Sequence, residues 1–178
     1  MENIKKLPRA IIGLGNPGKQ YYYNRHNIGF RIIDALAARH GAHWTKKDIM
    51  EITEIMVGDK KILLIKPQTF MNASGTVIPF LGKQGIKPDQ ILVIHDELEM
   101  PFGKIKLRFG GSARGHKGLR SIIDICGKDF YRLSFGIGRP DEREDVAQYV
   151  LSNFSEDQSE LEQYIDQAVN LIESALTT

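Results

Sequence analysis

Short apolar runs alternate with helix-like segments along this chain, and this alternation restricts the possible folds more than any other feature of the sequence. Residues 10–14 are typical of a buried strand that ends in a glycine turn. Residues 28–37 instead carry apolar side chains at helical spacing, and Gly41 suits the end of that helix. The pattern predicts an α/β fold, a single-domain sandwich with a mixed, twisted central sheet flanked by helices on both faces.

The rest of the chain continues the alternation. A hairpin is indicated where two strand-like runs meet at Gly58-Asp59. A final helix is expected behind a capping box formed by Ser155 and Gln158. The other predicted elements, in chain order, are hairpin strands at 51–57 and 61–66, a helix at 72–84, strands at 91–95 and 104–109, a helix at 116–126 and a strand at 132–137.

Length and composition exclude several classes of protein. With 178 residues, 42% of them hydrophobic and 26% charged, the chain fits one globular domain over residues 1–178. No apolar run approaches the roughly 20 residues of a membrane helix, and no signal-peptide pattern precedes the first strand. Cys126 is the only cysteine, so no disulfide framework exists. We therefore expect a cytoplasmic protein that does not enter a membrane.

The small net charge of +2 hides an uneven distribution of charges. Residues 141–178 hold ten acidic side chains and a single basic one, whereas residues 104–120 hold six basic side chains and no acidic one. A basic run of this kind is either a solvated face or a surface that binds phosphates, and composition alone leaves both possibilities open.

The segment from Gly13 to Gly18 matches the glycine pattern of a dinucleotide-binding loop, but its context argues against that function. In such a loop the third glycine opens a helix whose N-terminus faces a pyrophosphate. Here Pro17 and a stretch of nine residues precede any helical periodicity. The nearest acidic candidate for the ribose, Asp34, lies inside the predicted helix. A dinucleotide-dependent oxidoreductase is therefore disfavoured.

Polar side chains follow several of the predicted strands, at the point where each strand ends. They are Asn16, Asn72 and Asp96, and His26 lies just ahead of the first long helix. Groups beyond the carboxyl ends of strands line the ligand crevice of open α/β sheets, so these four could converge on one cleft. Taken singly, each has an ordinary structural explanation: Asn16 and Asp96 could cap turns, Asn72 a helix N-terminus, and His26 could lie on the surface.

Three stretches of the sequence closely resemble the bacterial peptidyl-tRNA hydrolase family. They are GLGNPGKQYYYNRHNIGF (13–30), KPQTFMNASG (66–75) and HDELEMPFGKIKLR (95–108), and two further stretches, GSARGHKGLRSI (111–122) and RLSFGIGRP (132–140), match with departures. The resemblance implies a monomeric α/β protein without metal or cofactor. It also implies hydrolysis of the ester between a peptide and the 3′ end of tRNA.

The resemblance further implies roles for individual residues. His26 would be the catalytic base and Asp96 its partner, and Asn16 and Asn72 would hold substrate groups near the reacting centre. A cleft for the 3′ end or the first peptide units would be lined by Tyr21, Phe70 and Met71. The acceptor stem would lie against Arg108 and Lys117, which favours the phosphate-binding explanation of the basic run.

The chain also departs from the usual pattern of this family. Lys117 stands where Asn is usual, and Lys can donate hydrogen bonds but not accept them. Ser134 stands where Arg is frequent, so a phosphate contact could be lost or taken over by Arg139. A non-catalytic RNA-binding protein on the same fold is the main alternative. A pure binder, however, has no need of the four polar residues at positions 16, 26, 72 and 96.

Overall fold

The computed structural model describes residues 6–141 and 145–177. Its seven strands are β1 (Ala10–Gly13), β2 (Thr45–Lys47), β3 (Met50–Val57), β4 (Lys60–Pro67), β5 (Ile91–Glu97), β6 (Ile105–Phe109) and β7 (Tyr131–Gly136). The α-helices in the described part are α1 (Ile28–Arg39), α2 (Ile78–Lys83), α3 (Lys117–Cys126), α4 (Val146–Val150) and α5 (Gln158–Thr177). Short 3-10 helices cover Lys19–Tyr21, Arg25–Asn27, Met71–Val77 and Pro88–Gln90.

The strands form one sheet in the order β2-β3-β4-β1-β5-β7-β6. Its centre is parallel, because β1 pairs in parallel with both β4 and β5, and β5 pairs in parallel with β7. Antiparallel strands complete both sides: the predicted β3–β4 hairpin extended by β2, and β6 beside β7. The predicted mixed sheet is confirmed. The carboxyl ends of its parallel strands meet at one edge, which is where polar residues were expected to converge.

Each face of the sheet carries its own hydrophobic core. Side chains alternate between the faces along β1, so that Ile11 belongs to one core and Ile12 to the other. The Ile11 core is covered by α1, α4 and α5, and the Ile12 core by α2, α3 and the 3-10 helix that precedes α2. Full burial of such aliphatic side chains contributes about 1.5–3 kcal/mol each. Helices therefore flank both faces, as predicted.

Helix α1 begins unusually close to the edge of the sheet. Gly29, in its first turn, packs so tightly that an added Cβ would lie 2.5 Å from the carbonyl oxygen of Ile94 and from the amide nitrogen of Leu14. Contacts this short with backbone atoms leave room only for glycine. The start of α1 is thereby fixed against the end of β1 and the middle of β5, which holds the preceding residues Arg25–Asn27 close to the carboxyl edge of the sheet.

Arg25 joins this segment to the C-terminal part of the chain. Its buried guanidinium donates to the carbonyl oxygen of Tyr149 at 3.3 Å and to the hydroxyls of Ser152 and Ser155 at 2.5 and 3.3 Å. It also stacks on the Tyr149 ring, with Cζ 4.0 Å from the ring centroid. We call this set of contacts the Arg25 latch. It connects the segment before α1 to the end of α4 and the loop that follows it.

Some predicted details of the secondary structure are wrong. Ser155 does not cap the last helix, because its hydroxyl accepts from Arg25. The cap is supplied by Asp157, whose carboxylate accepts from the amide of Glu160 at 3.0 Å. The helix predicted over 72–84 is a 3-10 helix followed by the short α2, while β2 and α4 were not predicted. No described helix combines the length and apolar character needed to cross a membrane.

Candidate active site

A cavity of about 500 Å³ opens at the carboxyl edge of the sheet. It lies between the loop after β1, the 3-10 helix after β4, the end of β5, the start of α3 and helix α4. The structure brings most of the predicted site residues together in its lining, namely Asn16, Tyr21, His26, Phe70, Met71, Asn72, Asp96 and Lys117. Arg108 is not among the residues that line it.

His26 and Asp96 form a buried pair at the base of this cavity. Nδ1 of His26 lies 2.9 Å from both carboxylate oxygens of Asp96. The tight start of α1 holds the histidine, and the penultimate position of β5 holds the carboxylate, so both come from rigid parts of the fold. An ionised carboxylate can only accept, so we assign the proton to Nδ1 and the lone pair to Nε2 of His26.

A second histidine, His116, also bonds to Asp96. Its Nε2 lies 2.8 Å from Oδ1 of the carboxylate. Its Nδ1 accepts from the backbone amides of Gly118 and Leu119 and so caps the N-terminus of α3. Because those amides can only donate, Nδ1 carries no proton and Nε2–H must be the donor to Asp96. Helix capping therefore fixes the tautomer of His116.

Two imidazoles thus donate hydrogen bonds to one carboxylate. Burial by itself would raise the pKa of Asp96, but the charge interactions and hydrogen bonds with His26 and His116 hold that pKa well below its usual range. The carboxylate is therefore ionised throughout the neutral range and keeps both imidazole N–H groups directed at it. Sequence reasoning missed His116, although it is the first residue of the helix predicted over 116–126, where a capping role is a recognisable signal.

Asn16 is held in one orientation by the backbone around it. Its Oδ1 accepts from the amide of Met71 at 2.7 Å, and its backbone N–H and C=O exchange hydrogen bonds with the side chain of Asn27. Because Oδ1 is occupied by this N–H, the amide presents its Nδ2 donor to a ligand. Asn16 is therefore more than a turn former, since it joins the loop after β1 to the segment after β4.

The outer part of the cavity is partly aromatic. Tyr21 and Phe70 meet edge to face with their ring centroids 6.4 Å apart, and the Phe70 side chain is 61% exposed. Asn72 is exposed in the cavity wall and does not cap the 3-10 helix in which it lies, since Phe70 occupies the capping position. An exposed aromatic surface beside polar amides suits a ligand that is partly planar or apolar.

The structure places the members of the basic run (residues 104–120) in different surroundings. Lys117 is exposed at the first position of α3 and lines the cavity. Arg108 lies on β6, half-buried, with Nη2 at 3.3 Å from Oε1 of Glu97, to which Arg114 also approaches within 3.5 Å. The charge of Arg108 is thus partly neutralised within the protein, which weakens the case for Arg108 as a direct phosphate contact.

Ser134 and its suggested replacement, Arg139, differ in accessibility. Ser134 lies on β7 with no solvent exposure, so a phosphate cannot reach it. Arg139 is exposed and lines the cavity, but it pairs with Glu99. The guanidinium that was suggested as a replacement contact is therefore already engaged.

The histidine and carboxylate cluster could in principle hold a metal. His26, Asp96 and His116 each offer one ligand atom, and these atoms lie within 4.8 Å of one another. However, both imidazoles are at direct hydrogen-bond distance from the carboxylate, and a metal ion would have to replace the two N–H protons between them. The same geometry serves proton transfer without rearrangement, because His26 keeps an unprotonated nitrogen.

Comparison with known proteins agrees with this architecture. The family described as "Peptidyl-tRNA hydrolase" matches residues 10–178. A peptidyl-tRNA hydrolase of Thermodesulfovibrio yellowstonii is 45% identical over 168 residues, which cover 92% of this chain and 89% of that protein. One of Fervidobacterium nodosum is 43% identical over 166 residues, covering 93% of this chain and 86% of that protein.

Solved structures give the same result. The crystal structure of peptidyl-tRNA hydrolase from Acinetobacter baumannii superposes with a TM-score of 0.88 at 35% identity, covering 95% of this chain and 88% of that chain. A purine nucleoside phosphorylase from Toxoplasma gondii, at 8% identity and a TM-score of 0.60, shares the fold alone. The sequence match over nearly the whole chain, together with the structural match, shows that this chain belongs to the peptidyl-tRNA hydrolase family, whose members hydrolyse the ester bond of peptidyl-tRNA.

Proposed function

We propose that the chain cleaves the ester of peptidyl-tRNA with a water molecule that His26 deprotonates. The observation that carries this proposal is the bond from Nδ1 of His26 to the buried carboxylate of Asp96, at 2.9 Å. This bond leaves the Nε2 lone pair on a histidine that lines the cavity. A neutral imidazole held in one tautomer is suited to remove a proton from water near neutral pH, which typically accelerates a reaction by about 10²–10⁴-fold.

The reaction follows from the positions of these groups. Water attacks the ester carbonyl carbon while its proton passes to Nε2 of His26, and Asp96 stabilises the imidazolium that forms. The C–O bond to the terminal ribose then breaks, and the imidazolium returns the proton to the departing ribose oxygen. The products are a free peptide carboxylate and a tRNA with an intact 3′ end.

Amide donors next to the histidine support stabilisation of the oxyanion. Asn16 presents Nδ2 because its oxygen is occupied, and Asn72 is exposed in the same cavity. A preorganised donor of this kind contributes about 2–4 kcal/mol to the transition state. Cys126 is a poor nucleophile by comparison, because burial raises the pKa of its thiol and it does not line the cavity.

The tRNA contacts follow from the outer surface. We propose that Tyr21, Phe70 and Met71 receive the 3′ end or the first peptide units and that Lys117 contacts the acceptor stem, with Arg108 in a supporting role beside Glu97. The chain is expected to act as a cytoplasmic monomer with no metal or cofactor, because ester hydrolysis by this route needs neither. Peptidyl-tRNA is the partner that this combination of groups fits.

Two alternatives are less well supported. A purely RNA-binding protein would have no use for a buried carboxylate shared by two imidazoles. A dinucleotide-dependent oxidoreductase requires a long helix directly after the glycine loop, but a three-residue 3-10 helix, Lys19–Tyr21, follows Gly18 and α1 begins only at Ile28.

A direct assay tests the proposal. Purified protein without added metal or nucleotide should release the N-acetyl amino acid from N-acetyl-aminoacyl-tRNA, measured as loss of acid-precipitable radiolabel. The tRNA should remain intact and accept a new amino acid afterwards. Failure to release the amino acid, or release only with a cut tRNA, would contradict the proposal.

We also predict a specific effect of Lys117 on tRNA binding. Replacing Lys117 by Gln should weaken tRNA binding and reduce the slope of log affinity against log salt by about 1, because one phosphate contact is lost. Lys60→Gln, at the exposed β3–β4 hairpin, is the matched control and should leave the slope unchanged. An unaltered slope for Lys117→Gln would show that this residue is solvated and does not contact a phosphate.

A further inference from the structure

A third histidine, which is buried, lies next to the catalytic pair and has no part in the proposed proton transfer. His95 precedes Asp96 on β5, is 2% exposed, and faces the fully buried Ser134 across the β5–β7 pairing. Its Nδ1 lies 2.7 Å from the carbonyl oxygen of Asp96, and its Nε2 lies 3.0 Å from Oγ of Ser134. Both ring nitrogens of His95 are therefore occupied by groups of the protein.

These partners allow only one arrangement of protons. A carbonyl oxygen can only accept, so Nδ1 of His95 carries the proton, and Nε2 must accept from the hydroxyl of Ser134. Burial, reinforced by the neighbouring His116, lowers the pKa of His95 to about 3. The ring is therefore neutral at any pH at which the enzyme would work, and it cannot serve as a proton carrier in the reaction.

The His95 ring contacts two groups that determine where the Asp96 carboxylate lies: the backbone of Asp96 and the ring of His116. Through Nδ1 it fixes the peptide unit that follows the Asp96 side chain, near the end of β5. Its ring also packs edge to face against the ring of His116, with centroids 5.4 Å apart. His116 is the imidazole that donates to the same carboxylate. A shift of His95 would therefore move the carboxylate and one of its two donors together.

We propose that His95, held in one tautomer by the Asp96 carbonyl and anchored at its other nitrogen by Ser134, is a positioning residue that sets the place of Asp96 relative to His26 and His116. This inference rests on the proposed function, because it assigns His95 a part in aligning the base. An imidazole that only fills the core would instead affect stability alone. The two roles differ in which kinetic constant changes, since misalignment of the dyad lowers kcat without weakening the binding of tRNA.

The test uses three variants of the full chain in the N-acetyl-aminoacyl-tRNA assay. His95→Leu removes both hydrogen bonds while keeping an apolar volume, whereas His95→Asn places an amide donor where Nδ1 stood and can keep the bond to the Asp96 carbonyl. We expect His95→Leu to lower kcat by about 10- to 100-fold with little change in KM, because small displacements at a reacting centre have effects of this size. His95→Asn should recover most of the loss.

Ser134→Ala gives an independent readout that disturbs the core less. Without the Ser134 hydroxyl, Nε2 of His95 loses its donor, and kcat should fall several-fold at unchanged KM. The Nε2 NMR signal of His95 should shift because its hydrogen bond is lost, while Nδ1 keeps the proton that the Asp96 carbonyl accepts. The inference is wrong if His95→Leu or Ser134→Ala keeps the wild-type kcat, if His95→Asn is as slow as His95→Leu, or if KM rises in parallel with the loss of kcat. A folding defect of His95→Leu leaves the other two variants to decide the question.

The outcomes also separate this inference from the proposed function. Wild-type protein that hydrolyses the substrate, together with an inactive His26→Ala and a fully active His95→Leu, would leave the proposed mechanism standing and overturn the role of His95. Absence of hydrolysis by wild-type protein would instead contradict the proposed function itself.

Discussion

Replacing His26 by alanine should lower kcat for N-acetyl-aminoacyl-tRNA by about 10²–10⁴-fold, the contribution expected of a general base. The variant removes the nitrogen that accepts the proton of the attacking water, while the loops, Lys117 and the aromatic surface around the cavity remain in place. The affinity for tRNA should therefore stay close to that of wild type. Single-turnover hydrolysis and filter binding at one fixed salt concentration measure the two quantities separately.

His40, at the other end of α1, provides a matched control for His26. It lies just after α1, at the end remote from the cavity, and bonds to Glu173 on the surface. His40→Ala should hydrolyse the substrate at the wild-type rate. Near-normal activity of His26→Ala would show that another group activates the water, even though the family assignment would be unaffected.

The second large effect is expected from Asp96→Asn. The carboxylate accepts one N–H from His26 and one from His116, whereas an amide has one oxygen to accept and an NH₂ group that must face a donor. One imidazole must then turn or shift its proton, and His26 would lose either its orientation or its free Nε2. We expect kcat to fall by about 10²–10⁴-fold, a loss comparable to that of removing the base itself.

Asp124→Asn is the control for this change. Asp124 is an exposed residue of α3 that pairs with Arg120 on the surface, and its neutralisation should leave kcat unchanged. Thermal unfolding and circular dichroism should show that Asp96→Asn remains folded. A folded Asp96→Asn enzyme with wild-type kcat would mean that the carboxylate does not orient the base.

The sequence predicts the layers of the fold well, because its signals there are local. Short apolar runs in the central strands and helical spacing after residue 28 reflect contacts that every α/β sheet makes, and the predicted α/β sheet follows from them. The hairpin at Gly58 is equally local, since its turn chemistry and flanking patterns lie within a few residues. These features needed no knowledge of distant parts of the chain.

The details that escaped prediction depend on contacts between distant segments. Ser155 looked like a helix cap because its spacing to Gln158 fits, but its hydroxyl serves a guanidinium 130 residues away. Helix α4 spans only five residues and carries too little periodicity to be recognised. Its side chains gain their role only by forming one wall of the cavity.

The site was predicted only in part, because some of its residues are placed by strand order and others by contacts between distant segments. Asn16 and Asn72 follow strands and Asp96 lies near the carboxyl end of β5, one residue inside a strand that was predicted to end at 95, so topology places all three at one edge of the sheet. His116 was missed because its contact with Asp96 depends on how α3 docks. The partial neutralisation of Arg108 by Glu97 was missed because two strands of opposite direction bring them together through β7. A run of basic residues gives no sign of which members are already paired.

The Arg25 latch has a consequence for the order in which the enzyme is completed during its own synthesis. The residue before the proposed base obtains its hydrogen-bond partners from positions 149, 152 and 155, which are synthesised 124 to 130 residues after it. Until they emerge, the Arg25 guanidinium lacks both the Tyr149 ring and the acceptors that hold it, so the segment that carries His26 is not yet fixed by the latch. A nascent chain should therefore stay inactive until residue 155 has joined the fold.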